Sequence, residues 1–412
     1  MRRLLSYPLA LFALVWLAHA QEIQMEPTDT SLQSGCLGCH AGITSIREKD
    51  SAMLFAIEAV GAVHGDEAGC VVCHGGDPTA TTAEAAHQGS PAALAAARGP
   101  QQFYRDPGSL WIAEFTCGQC HSNHVYSVQR GLMNTEAGKV QGNLHTWGIE
   151  EVQDYNTPWG NYDLDDPDGL VPVIGSDEYK QYMEAMIAAH PKHFPTSMQQ
   201  VPQPTVEEIE ADPKLAGFTY QRQQCQRCHV SVRGREKRGD FRGMGCSSCH
   251  MVYSNDGIYE GGDPTIDKSE HGNMLYHRIH ATRQAGKGIP VETCNTCHNR
   301  GKRIGVTYQG IMEFPYGTPF GPDKQPRLHT KNYLFIADDL HHQVESRPEN
   351  PAGGLLCQDC HTSVDMPGDG NIHTTTLGQV EIECTDCHGT PTAFPWELPL
   401  GWGEEFGRTL AD

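Results

Sequence analysis

The sequence is short of apolar residues and has no cysteine outside a single repeated motif. Hydrophobic residues account for 38% of its 412 positions, whereas a globular domain usually contains about 45–50%. A chain of this size with so little apolar material needs something other than its own side chains to pack around. Strand signals are also weak, and 44 glycines and 26 prolines predict frequent turns, so a large sheet is not expected.

Basic residues are scarce as well. The chain has 30 Lys and Arg against 51 Asp and Glu, which gives a formal net charge of −21. Such a surface repels phosphate backbones and anionic lipid headgroups. Nucleic acid and an anionic membrane surface are therefore not expected as partners.

Long apolar runs are missing except at the N-terminus. Arg2 and Arg3 precede an apolar run that ends in the A-H-A of residues 18–20, the small-residue pattern of a signal-peptide cleavage site. Pro8 interrupts the run, which is short for a membrane span of about 20 apolar residues. Residues 1–20 are therefore predicted to be a cleaved signal peptide. The mature chain is expected to be exported, periplasmic or extracellular, and to have no transmembrane anchor.

What the sequence does have is sixteen cysteines, all in eight C-x-x-C-H motifs that we number 1 to 8 along the chain. The motifs are Cys36, Cys39 and His40; Cys70, Cys73 and His74; Cys117, Cys120 and His121; Cys225, Cys228 and His229; Cys246, Cys249 and His250; Cys294, Cys297 and His298; Cys357, Cys360 and His361; Cys384, Cys387 and His388. Disulfides and zinc ribbons use cysteine pairs, and a thioredoxin-like site uses one C-x-x-C. None of these requires a histidine after every pair.

A covalently attached c-type haem does require that histidine. The two thiols of a motif bond the porphyrin, and the adjacent imidazole ligates the iron on the proximal side. We therefore expect eight covalently bound c-type haems, each held by the cysteines and the histidine of one motif. With 412 residues for eight motifs, roughly 50 residues are available per haem, so the haems must lie close together and supply the missing apolar core.

The motifs are unevenly spaced along the chain. Motifs 1 and 2, 4 and 5, and 7 and 8 are close in sequence, which predicts neighbouring haems in those pairs. The long segment between motifs 3 and 4 carries none. We expect a signal peptide at 1–20, an N-terminal haem module at 21–121, a haem-poor insert at 122–224 and a C-terminal haem module at 225–412.

Helix signals are local. Apolar spacing predicts helices in 43–64 and 330–343, and residues 81–99 are alanine-rich but broken by a glycine and a proline. Residues 176–191 carry an N-cap serine, acids in the first turn and a terminating proline. These signals predict a mainly α and coil protein with little sheet, a multihaem cytochrome c fold in which short helices wrap closely packed haems.

An acidic loop, DLDDPDG at 163–169, lies in the insert. Carboxylate clusters suit hard cations such as calcium, but the spacing does not match the EF-hand pattern. A solvated turn accounts for the same charges, so calcium is the weaker of the two interpretations.

The second axial ligand decides whether a haem iron is closed and suited to electron transfer or open to a substrate. Of 22 histidines, eight lie in the motifs and His19 lies in the N-terminal segment, so thirteen remain. Thirteen histidines are enough to supply a second ligand to each of eight haems. Any one of these histidines can equally be an ordinary surface or core residue. The predicted distal ligands are His64, His87, His124, His145, His277, His280, His341 and His373.

Two local patterns refine this set. His124 follows His121 by one helical turn, so it is expected to reach a neighbouring haem. In HGNMLYHRIH at 271–280, a helix with about 100° per residue places His277 and His280 on one face and His271 on the opposite face. One helix would then supply ligands to haems on two sides.

With eight such motifs, the whole mature chain resembles the multihaem c-type cytochromes. Its C-terminal third, which runs from CNTCH at 294–298 to CTDCHG at 384–389, is similar to segments of periplasmic and outer-surface electron-transfer cytochromes of anaerobic and metal-respiring bacteria. Haems in those proteins are bis-histidine and stacked, and some members form filaments. The resemblance implies a conductor of electrons, with a homo-oligomer or a filament as a further expectation.

A more distant resemblance is to the octahaem oxidoreductases, which act on hydroxylamine, nitrite or tetrathionate. The nitrite enzymes typically replace one proximal histidine with lysine, as C-x-x-C-K, and this chain has no such motif. The hydroxylamine enzymes keep C-x-x-C-H and cross-link a tyrosine to the catalytic haem, but nothing singles out one of the 14 tyrosines. This resemblance implies an enzyme with one open-face haem.

The sequence thus predicts an exported octahaem cytochrome that relays electrons between redox proteins or to a terminal acceptor. No catalytic residue is assigned. The alternative is an octahaem oxidoreductase of small nitrogen or sulfur compounds.

Overall fold

The computed structural model covers most of the chain outside its two ends. It describes residues 35–149, 159–160, 174–191, 194–195, 198–224, 228–234, 236–280, 288–299, 308–314, 332–344, 354–374 and 377–398. The predicted signal peptide at 1–20 and the acidic loop at 163–169 lie outside the described residues. No helix within these ranges is long and apolar enough to cross a membrane.

Short α-helices make up most of the regular structure. In the described ranges they are α1 (Cys36–Cys39), α2 (Ala52–Val63), α3 (Cys70–His74), α4 (Ala83–Ala86), α5 (Ala92–Ala96), α6 (Gly118–Arg130), α7 (Leu132–Thr135), α8 (Ala137–Thr146), α9 (Asp177–Ala189), α10 (Val206–Ala211), α11 (Ala216–Gln224), α12 (Cys246–His250), α13 (Val291–Asn295), α14 (Cys357–Cys360) and α15 (Cys384–His388). Loops and turns connect them.

Strands form two small sheets in the part of the chain that the structure describes. In one, β1 (Trp159–Gly160) pairs in parallel with β2 (Gln199–Gln200), and in the other β3 (Ile311–Phe314) pairs antiparallel with β4 (Asn332–Phe335). The expectation of a mainly helical and coil protein with little sheet is therefore confirmed.

The prediction of a helix at 330–343 is wrong, because the described part of this segment begins with β4 and continues as loop and turn. Tyr333 and Phe335 are aromatic residues, which favour a pleated strand surface. Their pairing with Glu313 and Ile311 in β3 outweighs the local apolar spacing that suggested a helix.

The other helix predictions are confirmed in whole or in part. Only the second half of 43–64 is helical, as α2, while α4 and α5 confirm the break within 81–99. The helix at 176–191 is confirmed as α9, and the Ser176 hydroxyl accepts a hydrogen bond from the Tyr179 amide at 3.2 Å. Such an N-cap satisfies one of the amide donors that the first turn leaves unpaired.

Six of the eight motifs start a helical turn in the described part of the chain. Helices α1, α3, α12, α14 and α15 begin at the first cysteine of motifs 1, 2, 5, 7 and 8, and Cys117 of motif 3 is the N-cap of α6. Residues i and i+3 of a helix lie on the same face. One turn therefore directs both cysteines of a motif to the same side and ends close to its histidine.

Buried apolar side chains in the described ranges form four small clusters. The largest joins Tyr179, Met183 and Met186 of α9 to Phe194 and Val364. The insert therefore shares a core with the C-terminal part of the chain.

A buried polar group lies at the edge of that cluster. The Tyr179 hydroxyl donates to Asp369 Oδ2 at 2.7 Å, and His373 Nε2 lies 3.1 Å from each oxygen of the same carboxylate. Asp369 is completely buried, and Tyr179 and His373 are nearly so. Burial of Asp369 opposes ionisation, but the charge of His373 and the hydrogen bonds outweigh it, so the pKa of the carboxyl is lowered. The contact holds α9 on the 364–374 segment.

The Tyr179→Phe variant tests this contact. Hydrogen bonds to charged groups contribute about 1.5–3 kcal/mol, so the free energy of unfolding should fall by about that amount in chemical denaturation followed by circular dichroism. The control is Tyr220→Phe, whose side chain is 46% exposed and packs on Trp147; a change within about 0.5 kcal/mol is expected there. Equal losses in the two variants would contradict a specific role of the Tyr179 hydroxyl.

Two helical glycines give a second test. A Cβ at Gly61 would lie 2.4 Å from both Asp66 O and Gly69 Cα, so Gly61→Ala must push α2 away from the start of α3, at about 1–3 kcal/mol. At Gly142 a Cβ would meet nothing within 4 Å, and Gly142→Ala should stabilise α8 by about 0.5–1 kcal/mol. The thermal midpoints should move in opposite directions, and a stable Gly61→Ala protein would show that the α2–α3 contact is not tight.

Candidate cofactor sites

Four motif histidines are oriented by a hydrogen bond from Nδ1. The contacts are His40 to Asp263 Oδ2 at 2.6 Å, His74 to the Tyr104 carbonyl at 2.8 Å, His250 to the His280 carbonyl at 2.7 Å and His361 to Asp365 Oδ2 at 2.8 Å. An oxygen acceptor at Nδ1 requires the proton on that nitrogen and leaves the lone pair of Nε2 for a metal. These rings have the tautomer and the support that a metal-ligating histidine needs.

In motif 2, a second imidazole lies opposite the motif histidine. The ring centres of His74 and His277 are 6.1 Å apart, and His277 Nδ1 donates to the Thr44 carbonyl at 3.0 Å. Two imidazoles that ligate one metal from opposite sides have ring centres roughly 6 Å apart, because each metal–nitrogen bond is about 2 Å long. The separation and the orientation of both rings therefore fit a metal between them.

Burial keeps this pair neutral. Burial, followed by the charge of His277, lowers the pKa of His74 to about 4. Burial likewise lowers the pKa of His277. Imidazoles must be deprotonated at the ligating nitrogen to bind a metal, so both rings are in the required state at neutral pH.

Two more predicted distal histidines lie opposite motif histidines. His87 and His40 of motif 1 have ring centres 6.0 Å apart, and His341 and His388 of motif 8 have ring centres 5.8 Å apart. The structure thus brings His87, His277 and His341 to motifs 1, 2 and 8.

His121 and His124 have a different relationship. Their ring centres are also 6.1 Å apart, but residues three apart on a helix are neighbours in any case, so this distance does not indicate a shared metal. Burial, then the charges of His121 and of His250, lowers the pKa of His124. His124 therefore lies near motif 5, the kind of neighbouring motif that its position predicted.

The segment 271–280 is not helical, so the expected helical arrangement of its histidines is wrong. Ile279 instead forms a bridge with Met251, and the His280 amide donates to the His250 carbonyl at 2.8 Å. Pairing with the 250–252 backbone holds the segment extended. His277 consequently reaches motif 2, while the His280 backbone positions His250 of motif 5.

The remaining predicted distal ligands are not placed against a motif histidine. His64 ends α2 and His145 lies exposed near the end of α8; no aromatic contact of the described residues joins either to a motif ring. His373 is buried, and Asp369 already engages its Nε2. Their assignment as ligands stays a prediction.

Motif 4 departs from the pattern. Cys225 lies outside the described residues, and the buried His229 directs its Nε2 to the Asn134 carbonyl. Its Nδ1 accepts from the Ser231 amide at 3.3 Å. Because Nε2 is bound to the protein, His229 as placed does not fit a metal at that nitrogen.

The first cysteines of three motif pairs are in direct contact. The sulfurs of Cys36 and Cys70 and an Asp66 oxygen lie within 4.8 Å of one another, and the Cys36 thiol donates to Asp66 Oδ2 at 4.0 Å. Cys117 of motif 3 and Cys246 of motif 5 pack against one apolar cluster, and a hydrogen bond from Cys246 is the main cause that lowers the pKa of Cys117 to about 7. Motifs 1 and 2 and motifs 3 and 5 are therefore adjacent.

Motifs 6 and 7 make the third such contact. Cys294 donates to Cys357, which raises the pKa of Cys294 and lowers that of Cys357. Motifs 6 and 7 are therefore adjacent.

Second cysteines connect these pairs into a series. Burial, then the charges of Cys117 and Cys120, raises the pKa of Cys73 to about 12, which places motif 2 beside motif 3. Ser248 of motif 5 and Cys297 of motif 6 line one cavity, which places motif 5 beside motif 6. Burial, then the charge of Cys387, raises the pKa of Cys360, which places motif 7 beside motif 8. The order in space is 1, 2, 3, 5, 6, 7, 8.

Motif 4 lies beside the middle of this series. Val230, next to His229, packs in one apolar cluster with Cys117 of motif 3 and Cys246 of motif 5, and its carbonyl accepts from the Gly245 amide. The motif pairs 1–2, 4–5 and 7–8, which are close in sequence, are thus also adjacent in space. The contact between motifs 3 and 5 was not predicted.

Sequence reasoning missed the groups that orient the histidines. Tyr104 and Thr44 act through backbone carbonyls, which no residue pattern reveals. Asp263 did carry a signal, because the pentapeptide G-G-D-P-T occurs both at 75–79, directly after motif 2, and at 261–265. A repeat of that kind marks a recurring turn beside the motifs.

Comparison with known proteins adds no relative to this picture. No protein-family model matches the chain, and neither the curated proteins nor the solved structures contain a match.

Proposed function

We propose that this protein is an octahaem c-type cytochrome that relays electrons. The observation that carries the proposal is the continuous series of adjacent motifs, 1, 2, 3, 5, 6, 7 and 8, together with the second imidazoles opposite motifs 1, 2 and 8. An electron carrier needs redox groups close to one another, and the contacts between attachment cysteines bring the motifs that close.

The cysteines and the histidines would have different roles in holding the cofactors. Each pair of motif cysteines would attach one haem. At the motifs other than motif 4, whose His229 is bound to the Asn134 carbonyl through Nε2, the motif histidine would be the proximal ligand, with His87, His277 and His341 as distal ligands at motifs 1, 2 and 8. A haem so held supplies a reversible one-electron iron couple. Around it the chain fixes the imidazole tautomers through Nδ1 and keeps His74 and His277 neutral by burial.

Two histidines at one site favour relay over catalysis. A haem at motif 1, 2 or 8 held by two imidazoles would have no coordination position left for a substrate. Electrons would enter and leave at the two ends of the series. Cys39 of motif 1 and Cys384 and Cys387 of motif 8 are exposed, as are Cys120 of motif 3 and Cys360 of motif 7. A net charge of −21 suits partner redox proteins with basic surfaces.

Haem content is the first measurement. A pyridine haemochrome assay and the intact mass of the exported protein should give eight haems per chain, and the unfolded protein should contain no thiol that reacts with a disulfide reagent. A matched variant, Cys70→Ser with Cys73→Ser, should lose one haem. Fewer than seven haems in the unaltered protein would contradict the proposal.

The His277→Ala variant tests the second ligand at motif 2. Removal of one imidazole opens one iron, so a high-spin ferric signal of about one haem in eight should appear in the electron paramagnetic resonance spectrum of the oxidised protein. His271→Ala is the control, because His271 is exposed and stacks on Phe241 with ring centres 5.7 Å apart. Identical spectra for both variants would remove His277 from the ligand set.

The unaltered protein should show low-spin haem at motifs 1, 2 and 8. A strong high-spin signal together with turnover of hydroxylamine or nitrite would instead favour an octahaem oxidoreductase.

A further inference from the structure

The carboxylate of Asp263 makes a dedicated contact with His40 of motif 1. Oδ2 lies 2.6 Å from His40 Nδ1, whereas Oδ1 accepts from the amide and the hydroxyl of Thr265, each at 2.8 Å. The Thr265 hydroxyl is also 2.9 Å from His40 Nδ1. The turn therefore occupies one carboxylate oxygen and presents the other to the imidazole.

Asp263 is completely buried, and its surroundings hold it in place. Its amide donates to the Tyr259 hydroxyl at 3.3 Å, and Tyr259 is itself completely buried. Next to motif 1, a Cβ on Gly42 would lie 2.8 Å from the Gly262 carbonyl, so the turn packs directly on the backbone that follows His40. The negative charge cannot move away from the ring.

The three other motif histidines that donate from Nδ1 to an oxygen described above have weaker partners there. His74 and His250 donate to backbone carbonyls, which carry no net charge. His361 donates to Asp365, but its side chain is 51% exposed and that of Asp365 is 11% exposed, against 0% for Asp263. Solvent screens exposed charges much more than buried ones. Of these four motif histidines, His40 thus has the most strongly charged support.

From this geometry we infer that Asp263 is a positioning residue that makes motif 1 the low-potential end of the series; the inference rests on the proposed function. A carboxylate that accepts the Nδ1 proton raises the basicity of the ligating nitrogen, and a fixed negative charge nearby favours the more positive ferric state over the ferrous state. The step is the gain of one electron by ferric iron, from a chemical reductant or a redox protein, with no bond made or broken. Asp263 makes that gain less favourable at motif 1.

The consequence is a direction for electron flow. Motif 1 would have the lowest reduction potential, so an electron that enters there would pass to motif 2, whose potential is higher. At motif 2, uncharged carbonyls accept from Nδ1 of both His74 and His277. The charge of Asp263 also reaches His277, so a smaller effect is expected at motif 2. Motif 1 is then the entry for electrons from a low-potential donor.

The experiment compares Asp263→Asn with Asp77→Asn. Asparagine keeps the shape and an oxygen for Thr265 but removes the charge. Asp77 occupies the same position of the first G-G-D-P-T turn and accepts from the Thr79 amide and hydroxyl at 2.9 and 2.7 Å, but it is exposed. The two variants thus remove the same charge from the same turn, buried against His40 in one case and solvated in the other.

The readout is a spectroelectrochemical titration of the intact protein, with haem count and low-spin spectra recorded on the same samples. In Asp263→Asn the haem that is reduced last should become easier to reduce. At fixed potential its ratio of reduced to oxidised form should rise at least tenfold, equivalent to about 59 mV for one electron. Asp77→Asn should titrate like the unaltered protein.

Three results would overturn the inference. The first is an unchanged titration of Asp263→Asn with eight low-spin haems. The second is an equal shift of the reduction potential in both variants. The third is loss of the motif 1 haem from Asp263→Asn, which would show that the role of Asp263 is structural. A haem count below seven in the unaltered protein is a separate result, because it removes the proposed function itself.

Discussion

Hydrogen bonds from histidine Nδ1 to distant oxygen acceptors are the interactions on which this structure depends most. His40 reaches Asp263 and His277 reaches the carbonyl of Thr44, across 223 and 233 residues of sequence. Each bond orients an imidazole and also ties the first motif to the 259–280 segment. A chain that is poor in apolar residues has few other means of closing such long loops, so the same contacts that fix the tautomer of these rings also define the fold.

The small clusters of apolar side chains explain why the motifs can approach one another. In the described ranges no single core separates them, and the largest cluster belongs to α9 of the insert and its contact with Val364. Elsewhere the motif turns pack on one another through their cysteines. Helical turns one motif long place two sulfurs on one side, and neighbouring turns then meet sulfur to sulfur, as Cys117 and Cys246 do.

The polar partners at Nδ1 also differ in charge, which would give chemically similar sites different reduction potentials. His74 and His250 donate to carbonyls, whereas His40 and His361 donate to carboxylates of unequal exposure. In a relay with one repeated cofactor, such differences are a means by which the protein can order its sites by potential.

The sequence by itself determined the eight motifs, the helical turn that motifs 1, 2, 3, 5, 7 and 8 start and the predominance of short helices, because these depend on residues within a few positions of one another. It also pointed to His87, His277 and His341 among the candidates. Only the tertiary structure decided their partners, the extended course of 271–280 and the adjacency of motifs 3 and 5. Those features follow from backbone pairing between distant segments, such as Ile279 with Met251, and from contacts like that of Asp263 with His40. Local periodicity contains no information about such contacts, which is also why the helix expected at 330–343 formed a strand against β3 instead.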